Sequence, residues 1–107
     1  MEITAEKHGE KLVLHFEGQL DTGTAPQAEV EVNQHLENSQ HLVFNLEKTT
    51  FVSSAGLRVF LATAKKIKAA GGSFVVCNAN AVVQEILDIS GFSQILTIKP
   101  NLEEALA

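Results

Sequence analysis

Few side chains in this sequence could perform chemistry, and their spacing decides which kind. His8, His15, His35 and His41 contain no H-x-x-x-H pair, and His8 and His15 fall on or beside an opening hairpin, so a metal has no converging ligands. Cys77 is the single cysteine and makes no internal disulfide. Its apolar strand, without a flanking cation, suits a packed and unreactive thiol. No G-x-S-x-G elbow presents a serine nucleophile. Neither G-x-G-x-x-G nor G-x-x-x-x-G-K-[ST] is there to cradle phosphates. No acid–base or nucleophile pair can be named, so the reading is not an enzyme, with no metal or other cofactor.

What remains is Phe51–Val52–Ser53–Ser54–Ala55–Gly56–Leu57–Arg58, two hydroxyls at the mouth of an amphipathic helix. Either serine could be the N-cap, a structural duty worth ~1 kcal/mol. Gly56 in the first turn strains that plain reading, because glycine inside a helix costs about 1 kcal/mol relative to alanine. Ala55 and Gly56 together would leave bare backbone that another molecule could approach closely. Free amides and the helix dipole also favour an anion at this end, such as a phosphate on Ser54. Arg58, Lys65 and Lys66 on the exposed flank are either a solvated face or, at Arg58, a cation that steers an acidic partner or steadies that phosphate.

The elements that must position this segment follow from periodicity. Residues 2–7 and Lys11–Glu17 read as strands joined by a turn at His8–Gly9–Glu10, an antiparallel hairpin. Gly18–Thr24 reads as a loop, with Thr24 capping a helix whose Pro26 suits its first turn. Ala25, Ala28, Val32 and Leu36 give that helix its apolar stripe. His41–Leu46 is apolar enough for a buried central strand, and Glu47–Val52 reads as a loop carrying Thr49 and Thr50. A second helix is expected from about Ser54 to Ala70, with Leu57, Phe60, Leu61, Ala64 and Ile67 on one side, stopped by Gly71–Gly72. A strand at Ser73–Cys77 and a third helix at Ala81–Ile89, with Val82, Val83, Ile86 and Leu87 inward, come next. A strand at Gln94–Ile98 and a short helix at Leu102–Leu106 complete the order. Strands alternating with helices imply right-handed parallel crossovers. The expectation is one α/β domain over residues 1–107: a small mixed β-sheet with an antiparallel N-terminal hairpin and about four helices packed on it.

Composition narrows the function classes. The chain has 107 residues, 45% hydrophobic and 20% charged, as in an ordinary globular domain. Eight Lys and Arg against thirteen Asp and Glu give a net charge of −5, which argues against a general nucleic-acid binder. No apolar run approaches a membrane span, and residues 1–20 lack the apolar core of a signal peptide, so a cytoplasmic protein without membrane insertion is expected.

The segment Phe51–Arg58 resembles the signature of STAS domains, specifically bacterial anti-sigma factor antagonists. Gly18–Gln19–Leu20–Asp21–Thr22–Gly23–Thr24–Ala25 is similar to the G-x-[LI]-D-x-x-T-A loop that precedes that family's first helix. The resemblance extends over essentially the whole chain. It implies a compact mixed sheet with helices, and binding to an anti-sigma factor that is also a serine protein kinase. In the family that kinase phosphorylates a serine at the start of the second helix, the modified form lets go, and a serine phosphatase restores binding. Carried onto this chain, the phosphoserine falls on Ser54. The docking surface falls on Asp21, Thr22, Ser53, Ser54, Ala55, Gly56, Leu57 and Arg58. The family's aspartate before the serine falls on Ser53, and Asn45 stands where many members have an aspartate. The alternative within the same resemblance is an accessory subunit of an ABC-type lipid transport system. A small-molecule or nucleotide sensor is a further reading with no ligand motif behind it.

Overall fold

The computed structural model describes residues 1–107. In chain order it contains β1 (Glu2–His8), β2 (Lys11–Leu20), α1 (Ala25–Leu36), β3 (His41–Val52), α2 (Ser54–Ala69) and β4 (Ser73–Cys77). These are followed by α3 (Ala81–Ile89), α4 (Phe92–Ile95), β5 (Thr97–Lys99) and α5 (Leu102–Leu106). The five strands lie in the order β1-β2-β3-β4-β5; β1 pairs antiparallel to β2 and every other neighbour is parallel. The hairpin turns tightly because Gly9 takes φ 62°, a left-handed conformation that glycine adopts freely.

Strand pleat divides the core between the sheet's faces. Leu12, Leu14, Phe16, Leu42, Phe44, Leu46 and Val76 pack with Ala28 and Val32 of α1, Leu57, Phe60 and Ile67 of α2, and Val83 and Leu87 of α3. Phe44 is the hub, with ring centroids 4.6 Å from Phe16, 5.5 Å from Phe60 and 4.6 Å from Phe74. On the other face Val13, Val43 and Cys77 pack against Ala105 of α5. The sheet is thus covered by three helices on one side and one short helix on the other.

Several sequence expectations change in the structure. Glu47–Val52 is not a loop but the continuation of β3, and Gly18–Leu20 likewise extends β2. Its polar residues hide the strand because they serve it: Thr49 Oγ1 donates to the Phe16 carbonyl at 2.9 Å and Thr50 Oγ1 to that of Gly18 at 3.3 Å. Register shifts around Glu17 and Gly18, with Gly18 at φ 113°, bend the ribbon there. Gln94–Ile98 divides into the one-turn α4 and the short β5, because Gly91 at φ 81° starts a turn closed by Leu96 N on the Phe92 carbonyl at 2.8 Å. That turn brings the helix count to five. Val82, expected inward, is 52% exposed, while Val83 and Leu87 fill the core.

The long helix α2 ends where the glycine pair predicts. Gly71 takes φ 77°, its amide bonds the Lys68 carbonyl at 3.1 Å, and the Gly72 amide bonds the Ile67 carbonyl at 2.9 Å. Ser73 then donates to the Gln40 carbonyl at 2.9 Å and starts β4 beside β3. This fixes one end of α2; the other end carries the serine pair.

Candidate functional site

The start of α2 is held by backbone and by Ser53. The Ser53 amide donates to the Leu20 carbonyl at 2.9 Å, tying the end of β3 to the end of β2. With φ −88° and ψ 177°, Ser53 is the N-cap: its Oγ accepts from the Gly56 amide at 3.4 Å and its carbonyl accepts from Leu57 at 2.9 Å. Helix geometry leaves the amides of Ser54 and Ala55 as the open pair of the first turn. Ser54 itself is exposed, and its hydroxyl bonds to no other group of the chain. The capping duty therefore belongs to Ser53, and the Ser54 hydroxyl has no structural employment.

Gly56 has a different reason to be glycine than bare backbone offered to a visitor. It is buried, and a Cβ there would stand 2.7 Å from the Leu20 carbonyl oxygen and 2.9 Å from side-chain carbons of Leu20 and Val52. The first turn of α2 thus crosses the ends of β2 and β3 at a distance only glycine permits. Leu57 is 7% exposed and belongs to the main core. Both residues seat the helix start from beneath.

The loop before α1 is braced from within. Asp21 Oδ1 accepts from the amides of Gly23 at 3.0 Å and Thr24 at 3.1 Å, the self-supporting turn that aspartate forms readily. Thr24 occupies the N-cap position of α1 but does not cap it. Its Oγ1 donates to the Gln19 carbonyl at 2.8 Å and accepts from the Asp21 amide at 2.9 Å. Asp21 is half-buried and committed to this turn, while Thr22 at the tip is exposed.

The two helix starts meet at the surface. Thr22, Pro26 and Glu29 on one side face Ala55 and Arg58 on the other across a shallow groove of about 320 Å³. Arg58 is exposed and free of ion pairs, and as the i+4 neighbour of Ser54 it shares that residue's side of the helix. Thr22, Ala55 and Arg58 therefore line one groove, with Ser53 and Ser54 next to Ala55 at the helix start, Asp21 shaping the loop, and Gly56 and Leu57 buried below.

Asn45 was missed as a structural centre by sequence reasoning. It is 5% exposed, and its Oδ1 accepts from the Glu47 amide at 3.2 Å and from Asn78 Nδ2 at 2.9 Å. Its Nδ2 therefore faces His15 Nδ1 at 2.9 Å as donor, which assigns the ring proton of neutral His15 to Nε2, 2.8 Å from Glu6. Glu6 reaches His8 with its other oxygen at 3.0 Å. The hydrogen bond from His15, aided by charge on His8, holds the Glu6 carboxyl below its ordinary value. The signal for this chain was the hairpin register, which sets Thr4 opposite His15 and Glu6 diagonal to it. Burial pushes the Cys77 thiol up to about 11, with the Glu47 charge adding to it, so the thiol stays protonated. No group of three His, Cys, Asp or Glu side chains is arranged to hold a metal ion. No helix is long and apolar enough to cross a membrane.

Comparison with known proteins accords with this fold. The family model described as STAS domain matches residues 2–105. The anti-sigma F factor antagonist of Paenibacillus polymyxa is 32% identical over 108 residues, covering 99% of this chain and 92% of that protein. The crystal structure of an anti-sigma factor antagonist from Mycobacterium paratuberculosis superposes with a TM-score of 0.90 at 25% identity, covering 98% of this chain and 90% of the other. The Bacillus cell fate determinant SpoIIAA, solved in its phosphorylated form, shares the fold with a TM-score of 0.73 at 19% identity, covering 98% and 96% of the two chains.

Proposed function

The chain belongs to the STAS domain family, and on that premise we propose that it is an anti-sigma factor antagonist whose binding is gated by phosphate on Ser54. Unmodified, it docks on an anti-sigma factor that is also a serine protein kinase, in the cytoplasm, and so frees that protein's target. A serine phosphatase acting on the modified form returns it to the binding state. The chain performs no reaction of its own in this cycle.

One observation carries the reading: Ser53 takes the capping role and leaves the neighbouring Ser54 hydroxyl exposed and without a partner, next to the groove that Thr22, Ala55 and Arg58 line. A phosphoryl group there adds about −1.5 to −2 charges where the unmodified surface offers close contact. Burying that dianion against a partner without a matching cation would cost several kcal/mol, and every 1.4 kcal/mol is about tenfold in affinity. The unmodified helix start requires no rearrangement for this, since the open Ser54 and Ala55 amides and Arg58 lie on hand to hold the phosphate. That SpoIIAA is known in a phosphorylated form supports the same reading at the level of the fold.

The test is to purify the protein from its native cell and map phosphopeptides by mass spectrometry, with a Ser54→Ala chain expressed alongside. A single phosphate on Ser54, absent from the variant, is the expected result. Modification elsewhere, or a variant that still carries the phosphate, would contradict the assignment.

A further inference from the structure

At the opposite end of α2 lies a second concavity with other chemistry. It has a volume of about 460 Å³, within the range of small-molecule sites. Half-buried Leu61, Ala64 and Phe74 form its walls with Leu96, and Ile95 of α4 stands over it 62% exposed. Lys65 and Lys68 are the charged residues of its lining, and neither has an ion-pair partner. Lys66, one position along, turns away to Asn33 Oδ1 at 2.7 Å. Three of the chain's eight cationic residues therefore cluster within four positions of an acidic protein, and two of them rim an apolar groove that contains no carboxylate. From Ser54 to Lys68 the helix advances about 21 Å, so this groove is separate from the patch at the start of α2.

The geometry points to a binding site for a single-chain anionic amphiphile of the fatty-acid class. The hydrocarbon lies along Leu61, Ala64, Phe74 and Ile95, and the carboxylate meets Lys65 and Lys68. Apolar walls favour a hydrocarbon chain, and the unpaired ammonium groups select a negative head over a neutral one. The groove is too small to be a stable protein interface by itself, which requires about 800 Å² from each partner. The inference stands independently of the switch at Ser54.

Sodium laurate, kept below its micelle-forming concentration, is the probe, followed by amide and methyl NMR of the full chain. Saturable shifts are expected at Leu61, Ala64, Ile95 and Leu96. Dodecanol and the double variant Lys65→Gln/Lys68→Gln should each bind about tenfold more weakly. Ile95→Glu, at an exposed position, should lose binding while the thermal midpoint stays unchanged. Shifts that do not saturate, shifts centred elsewhere, or equal affinity for laurate and dodecanol would overturn the proposal. So would an Ile95→Glu chain that binds as the parent does.

Discussion

Ser53 commits both its hydroxyl and its carbonyl to the first turn of α2. A Ser53→Ala chain should lose about 1 kcal/mol in urea denaturation, while Ser54→Ala should stay within about 0.5 kcal/mol of the parent. Equal losses would mean that the two hydroxyls share the cap. Gly56 offers a sharper contrast. Alanine is better than glycine in a helix by about 1 kcal/mol, yet its Cβ would overlap the Leu20 carbonyl at 2.7 Å, a backbone atom with little room to move. Gly56→Ala should therefore destabilise by about 1–3 kcal/mol, read as a lower urea midpoint. At this scale the serine pair and the glycine were legible as unusual, because type and position alone mark them. Which serine caps, and that Gly56 faces inward, were not: both depend on β2 ending beneath α2, a contact between residues far apart in sequence.

Among the elements, the opening hairpin carries a pH dependence of its own. A carboxyl lowered in the folded state adds stability above its unfolded value and loses it as pH falls through the folded one. Glu6 is lowered from 4.5, chiefly by the His15 hydrogen bond. In a carbon-detected NMR titration, His15→Ala should move the Glu6 midpoint upward, toward 4.5, and weaken the loss of hairpin stability on acidification. An unmoved midpoint would show that His8 alone sets it. The strand β2, α1, the first half of β3, α2, β4 and α3 were readable from their apolar patterns, whereas the almost wholly exposed β1 was readable only from loose alternation and the turn at Gly9. The second half of β3 was not, because Thr49 and Thr50 belong to the strand through hydrogen bonds to β2 rather than through apolar alternation. Likewise α4 escaped notice: a single turn set up by Gly91 has no period to detect.

For the molecule as a whole, the two ends of α2 differ in chemistry. One end presents a neutral hydroxyl beside a single arginine; the other presents lysines around an apolar groove. In the sheet beneath, Phe44 packs against Phe16 of β2 and Phe60 of α2, while Ser54 lies exposed outside this core, so a modification at Ser54 is expected to act at the surface and leave the fold alone. Composition showed that the chain is acidic, its motifs named no acid–base or nucleophile pair, and the family resemblance supplied a role; the bare Ser54 hydroxyl needed coordinates. The most direct measurement is the affinity, by calorimetry, of the anti-sigma factor captured from the native cell for this protein unmodified and stoichiometrically phosphorylated on Ser54. The phosphorylated form should bind at least about 100-fold more weakly, with a thermal midpoint close to that of the unmodified chain. Equal affinities for the two forms would contradict the switch.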